Sequence, residues 1–233
     1  DRSWSPTGIG PVISAAAALV KDMLNSEPTY SLNVNQQWPV ASLTKLVTAV
    51  AAEENIAEDA RITVSANAVA TEGGAGNLIV GGIYSRDELL RLMLAFSSND
   101  AAVALAEYFG KEKFIEEMNA KITSLGMYNT RFFDPSGLSP LNQSMVSDLE
   151  KLVYYIYNRH PEIFAITRQK DGSTHPFVKW DNFIGGKTGF LDEASGNLIS
   201  LVNHQGRPLL IIVLGSEDRA QDTQALYDHF TSR

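Results

Sequence analysis

Hydrophobic positions change their spacing twice along the chain. Near the N-terminus, Ile13–Val20 and Tyr30–Val34 are short apolar and β-branched runs joined through the turn-forming cluster Asn25-Ser26-Glu27-Pro28, and both read as strands. From Ser42 to Glu54 the period becomes helical, with Leu46, Val47, Val50 and Ala51 at helical spacing. That period persists through the middle of the chain, roughly 60–170. Arg86–Phe96 carries Leu89, Leu90, Leu92, Met93 and Leu94, and Asp100–Phe109 is rich in the helix formers Ala and Leu. Lys111–Leu125 stops at Gly126, a suitable residue just past a helix end. Ser147–Asn158 opens with Ser-Asp-Leu-Glu, and its Ser147 and Glu150 predict a capping box. Strand spacing then returns in Phe183–Leu191, Asn197–Asn203 and Leu209–Gly215, followed by a final helix over about Arg219–Phe230.

Strands at both ends with helices between them predict an α/β (α+β) fold. One antiparallel sheet is assembled from both termini, its last strands linked by short hairpins, and a helical lobe grows from the middle. The whole of 1–233 is expected to be a single domain of two lobes: a sheet lobe over about 1–60 and 175–233, and a helical lobe over about 61–174. A cleft between lobes is the natural place for chemistry.

Composition narrows the chemistry. A chain of 233 residues is too short for several independent domains. Its formal charge of −8 makes it a poor partner for nucleic acid, which needs a basic surface. It has no cysteine, which removes disulfides, thiolate metal sites and a cysteine nucleophile, and suits an exported protein. The longest apolar runs, Ala15–Val20 and Leu209–Leu214, fall far below the roughly 18–20 residues of a membrane-spanning helix. The chain begins at Asp1 with no signal-like segment, so a removed leader or a trimmed chain is expected.

The histidines, His160, His175, His204 and His229, form no metal-binding spacing and read as solvated or structural, so no metal or other cofactor is expected. Without a His or Cys partner, the remaining way to activate a serine is a lysine deprotonated by its surroundings. Ser42-Leu43-Thr44-Lys45 provides one: at a helix start, Lys45 reaches back one turn to the Ser42 hydroxyl. Ser97-Ser98-Asn99 lies at a junction between two helices, where Ser97 and Asn99 suit either capping or a cleft. Lys187-Thr188-Gly189, preceded by Gly185-Gly186, lies inside a predicted strand. It is either a protected edge or a side-chain-free place to dock an extended peptide and hold its anionic end. Each pattern alone is ordinary; the three in this order, each on its expected element, are not. Ser-x-x-Lys, a Ser-x-Asn-type element and Lys-Thr-Gly together mark penicillin-binding proteins and class A β-lactamases.

From about Ile13 to Phe230 the chain resembles the low-molecular-mass penicillin-binding proteins that act as D-alanyl-D-alanine carboxypeptidases. Pro39–Leu46 is similar to that family's nucleophile segment, Ser97–Ala106 to its second motif, and Gly185–Gly189 to its third. Asn129–Phe132, Asp134–Leu138 and Ser147–Leu149 match intervening segments that carry no obvious catalytic demand. Ser98, where Gly is common, and Phe190, where a polar residue is common, depart from the pattern. The β-rich second domain and C-terminal anchor of many relatives are expected to be missing after Arg233.

The resemblance implies a five-stranded antiparallel sheet flanked by helices, beside an all-helical lobe. It implies a Ser42 acyl-enzyme formed on the D-Ala-D-Ala end of peptidoglycan stem peptides and on β-lactams. Lys45 would be the base, its pKa lowered by burial and by Lys187, with Ser97 passing the proton to the leaving amine. Asn99, Lys187, Thr188 and Gly189 would hold the peptide, and the backbone N–H groups of Ser42 and Phe190 would form the oxyanion hole. Arg219, just after the last strand, would read the terminal carboxylate. An extracytoplasmic location follows from such a substrate. Class A β-lactamases need a glutamate to activate the deacylating water, and Asp134–Asp148 contains none. A peptidoglycan endopeptidase and a non-catalytic β-lactam sensor use the same motifs.

Overall fold

In the computed structural model, which describes residues 10–73 and 75–231, five strands form one antiparallel sheet in the order β2-β1-β9-β8-β7. Strands β1 (Ala17–Asp22) and β2 (Tyr30–Leu32) come from the N-terminal end, and β7 (Phe183–Leu191), β8 (Ser195–His204) and β9 (Arg207–Ser216) from the C-terminal end. The sheet is covered on both faces, which explains its unbroken apolar runs. Because side chains alternate along a strand, Leu210 and Ile212 face the main core with Leu19, Ile199 and Leu201. Ile211 and Val213 face the opposite layer, where Leu226 of helix α8 (Arg219–Thr231) packs.

Helix α1 (Thr44–Asn55) follows a 3₁₀ turn over Ala41–Leu43 and is buried from Thr44 through Ala52. A helix buried on every side must be slim where neighbours approach, and Ala49, Ala51 and Ala52 make it so. Around it pack α3 (Arg86–Ala95), α4 (Asn99–Phe109), α5 (Lys111–Ser124) and α7 (Pro161–Thr167), while α6 (Val146–Arg159) packs on α7 and on strands β1 and β9. A four-residue α2 (Ala66–Val69) and two small antiparallel ribbons complete the fold. Strand β3 (Trp38–Pro39) pairs with β6 (Gln143–Ser144), and β4 (Arg61–Thr63) with β5 (Ile83–Ser85).

Three expectations need correction. Strand β1 starts at Ala17 rather than Ile13, because the Ser14 N–H and hydroxyl both donate to the Asp222 carboxylate, at 3.0 and 2.8 Å, instead of entering the ladder. Strand β2 stops at Leu32, since Asn33 turns the chain through a positive φ of 46°. The capping box at Ser147 and Glu150 does not form. Helix α6 begins at Val146 without a side-chain cap, Ser147 Oγ bonds Asn35 Oδ1 at 2.9 Å, and Glu150 pairs with Lys21 at 2.6 Å. The capping box that does form is at α3. There the Glu88 N–H donates to Ser85 Oγ at 3.1 Å, and the Ser85 N–H to Glu88 Oε2 at 2.7 Å.

Candidate active site

The chain enters the site through a strained turn. Ala41 has φ +49°, a left-handed conformation that costs a non-glycine residue energy and persists only where the surroundings enforce it. Two glycines enforce it. A Cβ on Gly137, itself at φ +87°, would collide with the Ala41 carbonyl, and one on Gly189 would sit 2.8 Å from the Val40 oxygen. The loop after Phe133 and strand β7 thus clamp the Ser42 turn between them.

One turn further on, Lys45 is fully buried. Its Nζ lies 2.8 Å from Ser42 Oγ, 2.6 Å from Asn99 Oδ1 and 2.5 Å from the Ser136 carbonyl. Burial brings its pKa down to about 7, against the opposing pull of the Asp134 and Asp100 carboxylates. An amine near neutrality beside a serine hydroxyl can accept that hydroxyl's proton.

A second Ser–Lys pair faces the first. Ser97 also has positive φ, 60°, and its Oγ lies 2.9 Å from Lys187 Nζ, which also donates to the Thr188 carbonyl at 3.0 Å. Lys187 is almost fully buried. Desolvation first, then the charges of Lys45 and Arg219, hold its pKa well below the usual lysine range. The expected effect of Lys187 on Lys45 therefore appears on Lys187; the charges that bear on Lys45 are the two carboxylates.

The other expected residues stand around these two pairs. Asn99 opens α4, accepts from Lys45, and donates through Nδ2 to the Glu72 carbonyl at 2.8 Å. Ser98, beside it, is buried and caps α4, accepting from the Ala101 N–H at 3.2 Å and donating to the Asp100 carboxylate. Thr188 Oγ1 lies 3.0 Å from Thr174 Oγ1. Strand β7, which carries Lys187, Thr188 and Gly189, is an edge of the sheet, so its far side is open. Arg219 Nη1 donates to the Gly189 carbonyl at 2.6 Å. Arg219 and the exposed Phe190 line a cavity of about 330 Å³ at that end of β7, with Thr174, Pro176 and Glu217.

Residue-by-residue reading missed the loop that carries Ser136. Asp134 Oδ1 accepts from the Ser136 and Gly137 N–H groups at 2.8 and 2.7 Å, and Oδ2 from Ser139 N–H at 2.9 Å. Asn142 ties the loop to α1 by donating to Thr44 Oγ1 at 3.1 Å, and Thr48 Oγ1 donates to the Pro135 carbonyl at 2.6 Å. These bonds aim the Ser136 carbonyl at Lys45. The signal was present in Asp134-Pro135-Ser136-Gly137, an aspartate turn closed by a glycine, but its target is a backbone oxygen that no residue type announces. His175 is structural: its Nε2 faces the Ile199 carbonyl at 3.0 Å, and burial lowers its pKa to about 3.

The model of the family described as D-alanyl-D-alanine carboxypeptidase matches residues 6–218. A D-alanyl-D-alanine endopeptidase of Pseudomonas aeruginosa is 31% identical over 238 residues, 94% of this chain and 74% of the relative. One of Haemophilus influenzae is 35% identical over 217 residues, 86% of this chain and 74% of the relative. The crystal structure of the Streptomyces K15 DD-transpeptidase shares the fold, with a TM-score of 0.88 at 23% identity over 97% of this chain and 100% of that one.

Proposed function

The chain belongs to the D-alanyl-D-alanine carboxypeptidase family, and from that premise and the geometry of its cleft we propose that it works through a Ser42 acyl-enzyme with Lys45 as base. The carrying observation is the buried Lys45 amine 2.8 Å from Ser42 Oγ, held by Asn99 and by the Ser136 carbonyl. Neutral Lys45 takes the Ser42 proton as Oγ attacks the carbonyl of the penultimate D-Ala. The oxyanion forms against the N–H groups of Ser42 and Phe190. The proton passes through Ser97, beside Lys187, to the departing amine, and D-Ala leaves. Water then attacks the ester with Lys45 again as base, which releases the shortened stem peptide and restores Ser42.

The peptide adds to the open edge of β7 as an extra strand. One Asn99 amide hydrogen is engaged by Glu72, and the other serves a substrate carbonyl. Thr188 and Arg219 hold the terminal carboxylate. β-Lactams imitate the D-Ala-D-Ala end and acylate Ser42. Peptidoglycan lies outside the cytoplasmic membrane, so the enzyme acts in the periplasm or at the cell surface and contributes to cell-wall shape. No helix among the described residues is long and apolar enough to cross a membrane.

A fluorescent penicillin should label the wild-type chain at Ser42, and Ser42→Ala should abolish labelling; labelling retained at another residue would overturn the assignment. Two relatives at 31% and 35% identity are named endopeptidases, which favours cleavage of cross-links as a second reading. Mass spectrometry of purified peptidoglycan fragments separates the outcomes: free D-Ala from pentapeptides marks the carboxypeptidase, monomers from cross-linked dimers the endopeptidase, and a stable β-lactam adduct with no peptide turnover a sensor.

A further inference from the structure

The segment between α7 and β7 is tied at once to the end of α3 and to the edge strand β7. Gly172 has φ +79°, and a Cβ there would collide with the Phe96 ring. Two residues on, the Thr174 N–H donates to the carbonyl of Ala95, the last residue of α3, at 3.2 Å. On its other side the Thr174 hydroxyl lies 3.0 Å from Thr188 Oγ1. His175 then fixes the segment to the sheet. Its Nδ1 accepts from the Phe177 N–H at 3.2 Å, and its Nε2 donates to the Ile199 carbonyl at 3.0 Å. Strand β7 leaves room for that ring at Gly186, where a Cβ would stand 2.7 Å from Nε2.

Thr174 is therefore held in place by its neighbours and its backbone, which leaves its side chain free for another task. The residue is exposed, whereas Thr188 is buried. With Phe190 and Arg219, Thr174 lines the cavity at the end of β7.

Counting hydrogens gives the task. A threonine hydroxyl has one hydrogen to donate and lone pairs to accept. Among the described residues, Thr188 Oγ1 has one partner, Thr174 Oγ1. A carboxylate accepts only, so a Thr188 hydroxyl that holds one must spend its single hydrogen there. Its oxygen is then left to accept, and Thr174 is the donor within reach. Donation from Thr174 also polarises the Thr188 O–H and strengthens the second bond.

We propose that Thr174 is a positioning residue for the reaction: its hydroxyl donates to Thr188 and turns the single hydroxyl hydrogen of Thr188 onto the terminal carboxylate of the peptide. The inference rests on the peptidase reading above, in which Thr188 holds that carboxylate. Because the Thr174 backbone hangs from Ala95, two residues before Ser97, the same segment sets the Thr188 hydroxyl relative to the Ser97 turn.

The test compares Thr174→Val, which keeps the branched shape and loses the hydroxyl, with Thr174→Ser, which keeps the hydroxyl and loses the branch. Both retain the N–H that bonds Ala95. Turnover is followed on a peptide ending in D-Ala-D-Ala and on a thioester whose leaving group carries no carboxylate. The readout is the ratio of kcat/KM between the two substrates within each variant, so a general loss of activity cancels. Thr174→Val should lower the ratio about three- to tenfold, the scale of one hydrogen bond, and Thr174→Ser should restore it. A ratio that falls in Thr174→Ser and not in Thr174→Val would make the residue a matter of shape and overturn the assignment. So would a ratio unchanged in both variants, with the peptidase reading left standing. A wild type that releases no D-Ala from the peptide would instead remove the peptidase reading, and the inference with it.

Discussion

Ser42 and Lys45 show how much of this site depends on burial. A lysine in water holds its proton far too firmly to act as a base at neutral pH; the fully buried Lys45 titrates at about 7. Lowering a base's pKa makes it available above that value and protonated below it. Acylation of Ser42 by penicillin should therefore rise as pH passes through about 7 and level off above, which stopped-flow labelling across pH 5–9 would measure. A limb that instead followed an unshifted lysine near pH 10 would remove Lys45 from the role of base. Lys45→Arg should keep the positive charge and much of the volume, yet lose about 10²–10⁴-fold in acylation, because arginine does not deprotonate in proteins. Circular dichroism would establish that the variant is folded. Near-normal acylation by a folded Lys45→Arg chain would transfer the base elsewhere.

At the scale of elements, the strands and long helices were legible because one period dominates each. Strand β7 runs from Phe183 to Leu191 as read, and α3 differs from its reading by one residue. The failures are places where a side chain serves a distant partner. Ser14 leaves the predicted strand for Asp222, more than two hundred residues away, and Glu150 leaves the predicted cap for Lys21. The ribbons β3–β6 and β4–β5 are too short to show a period. The three sequence motifs that meet around Lys45 and Lys187 were legible because they are side chains; the Ser136 carbonyl was not, because every residue has one. The loop's constraint can be tested at Gly137. Gly137→Ala adds a Cβ that meets the Ala41 carbonyl and forbids the native φ of +87°, so the Ser42 turn must shift. Acylation should fall by about 10²-fold, the cost of a displacement near 1 Å. Penicillin labelling at wild-type rate in a folded Gly137→Ala chain would mean that the clamp is dispensable. Arg219, where α8 meets the end of β7, tests the carboxylate end. Arg219→Ala should cost a D-Ala-D-Ala peptide about 2–3 kcal/mol in kcat/KM, the value of a charge-assisted contact, and cost far less for a thioester lacking the terminal carboxylate. Equal losses on both substrates would make Arg219 a support for the Gly189 carbonyl, to which it already donates.

For the whole molecule, the same burial that makes the site reactive works against the fold. Lys45 and Lys187 are both almost fully excluded from water, and both have folded pKa values below the unfolded value of 10.5. A group whose folded pKa is depressed in this way binds more protons in the unfolded chain, so stability increases with pH. For Lys45 the penalty is complete below about pH 7 and is relieved as pH rises from there toward 10.5, where the unfolded chain also loses its proton. Lys187 acts with the same sign. His175 does not interfere in this range, since its depressed pKa of about 3 makes it costly only as pH falls below its unfolded value of 6.5. The expected result is a urea midpoint that increases between pH 7 and pH 9 at constant ionic strength. Lys45→Met should make that increase shallower, because it removes a group whose folded pKa lies below its unfolded value across this interval. Its stability at any single pH is less informative, since the variant also leaves Asn99 Oδ1 and the Ser136 carbonyl without their donor. The slope against pH isolates the proton. A wild-type midpoint that stays level or falls over this interval would mean that Lys45 keeps its proton when buried, and neutral Lys45 could then not be the base that activates Ser42.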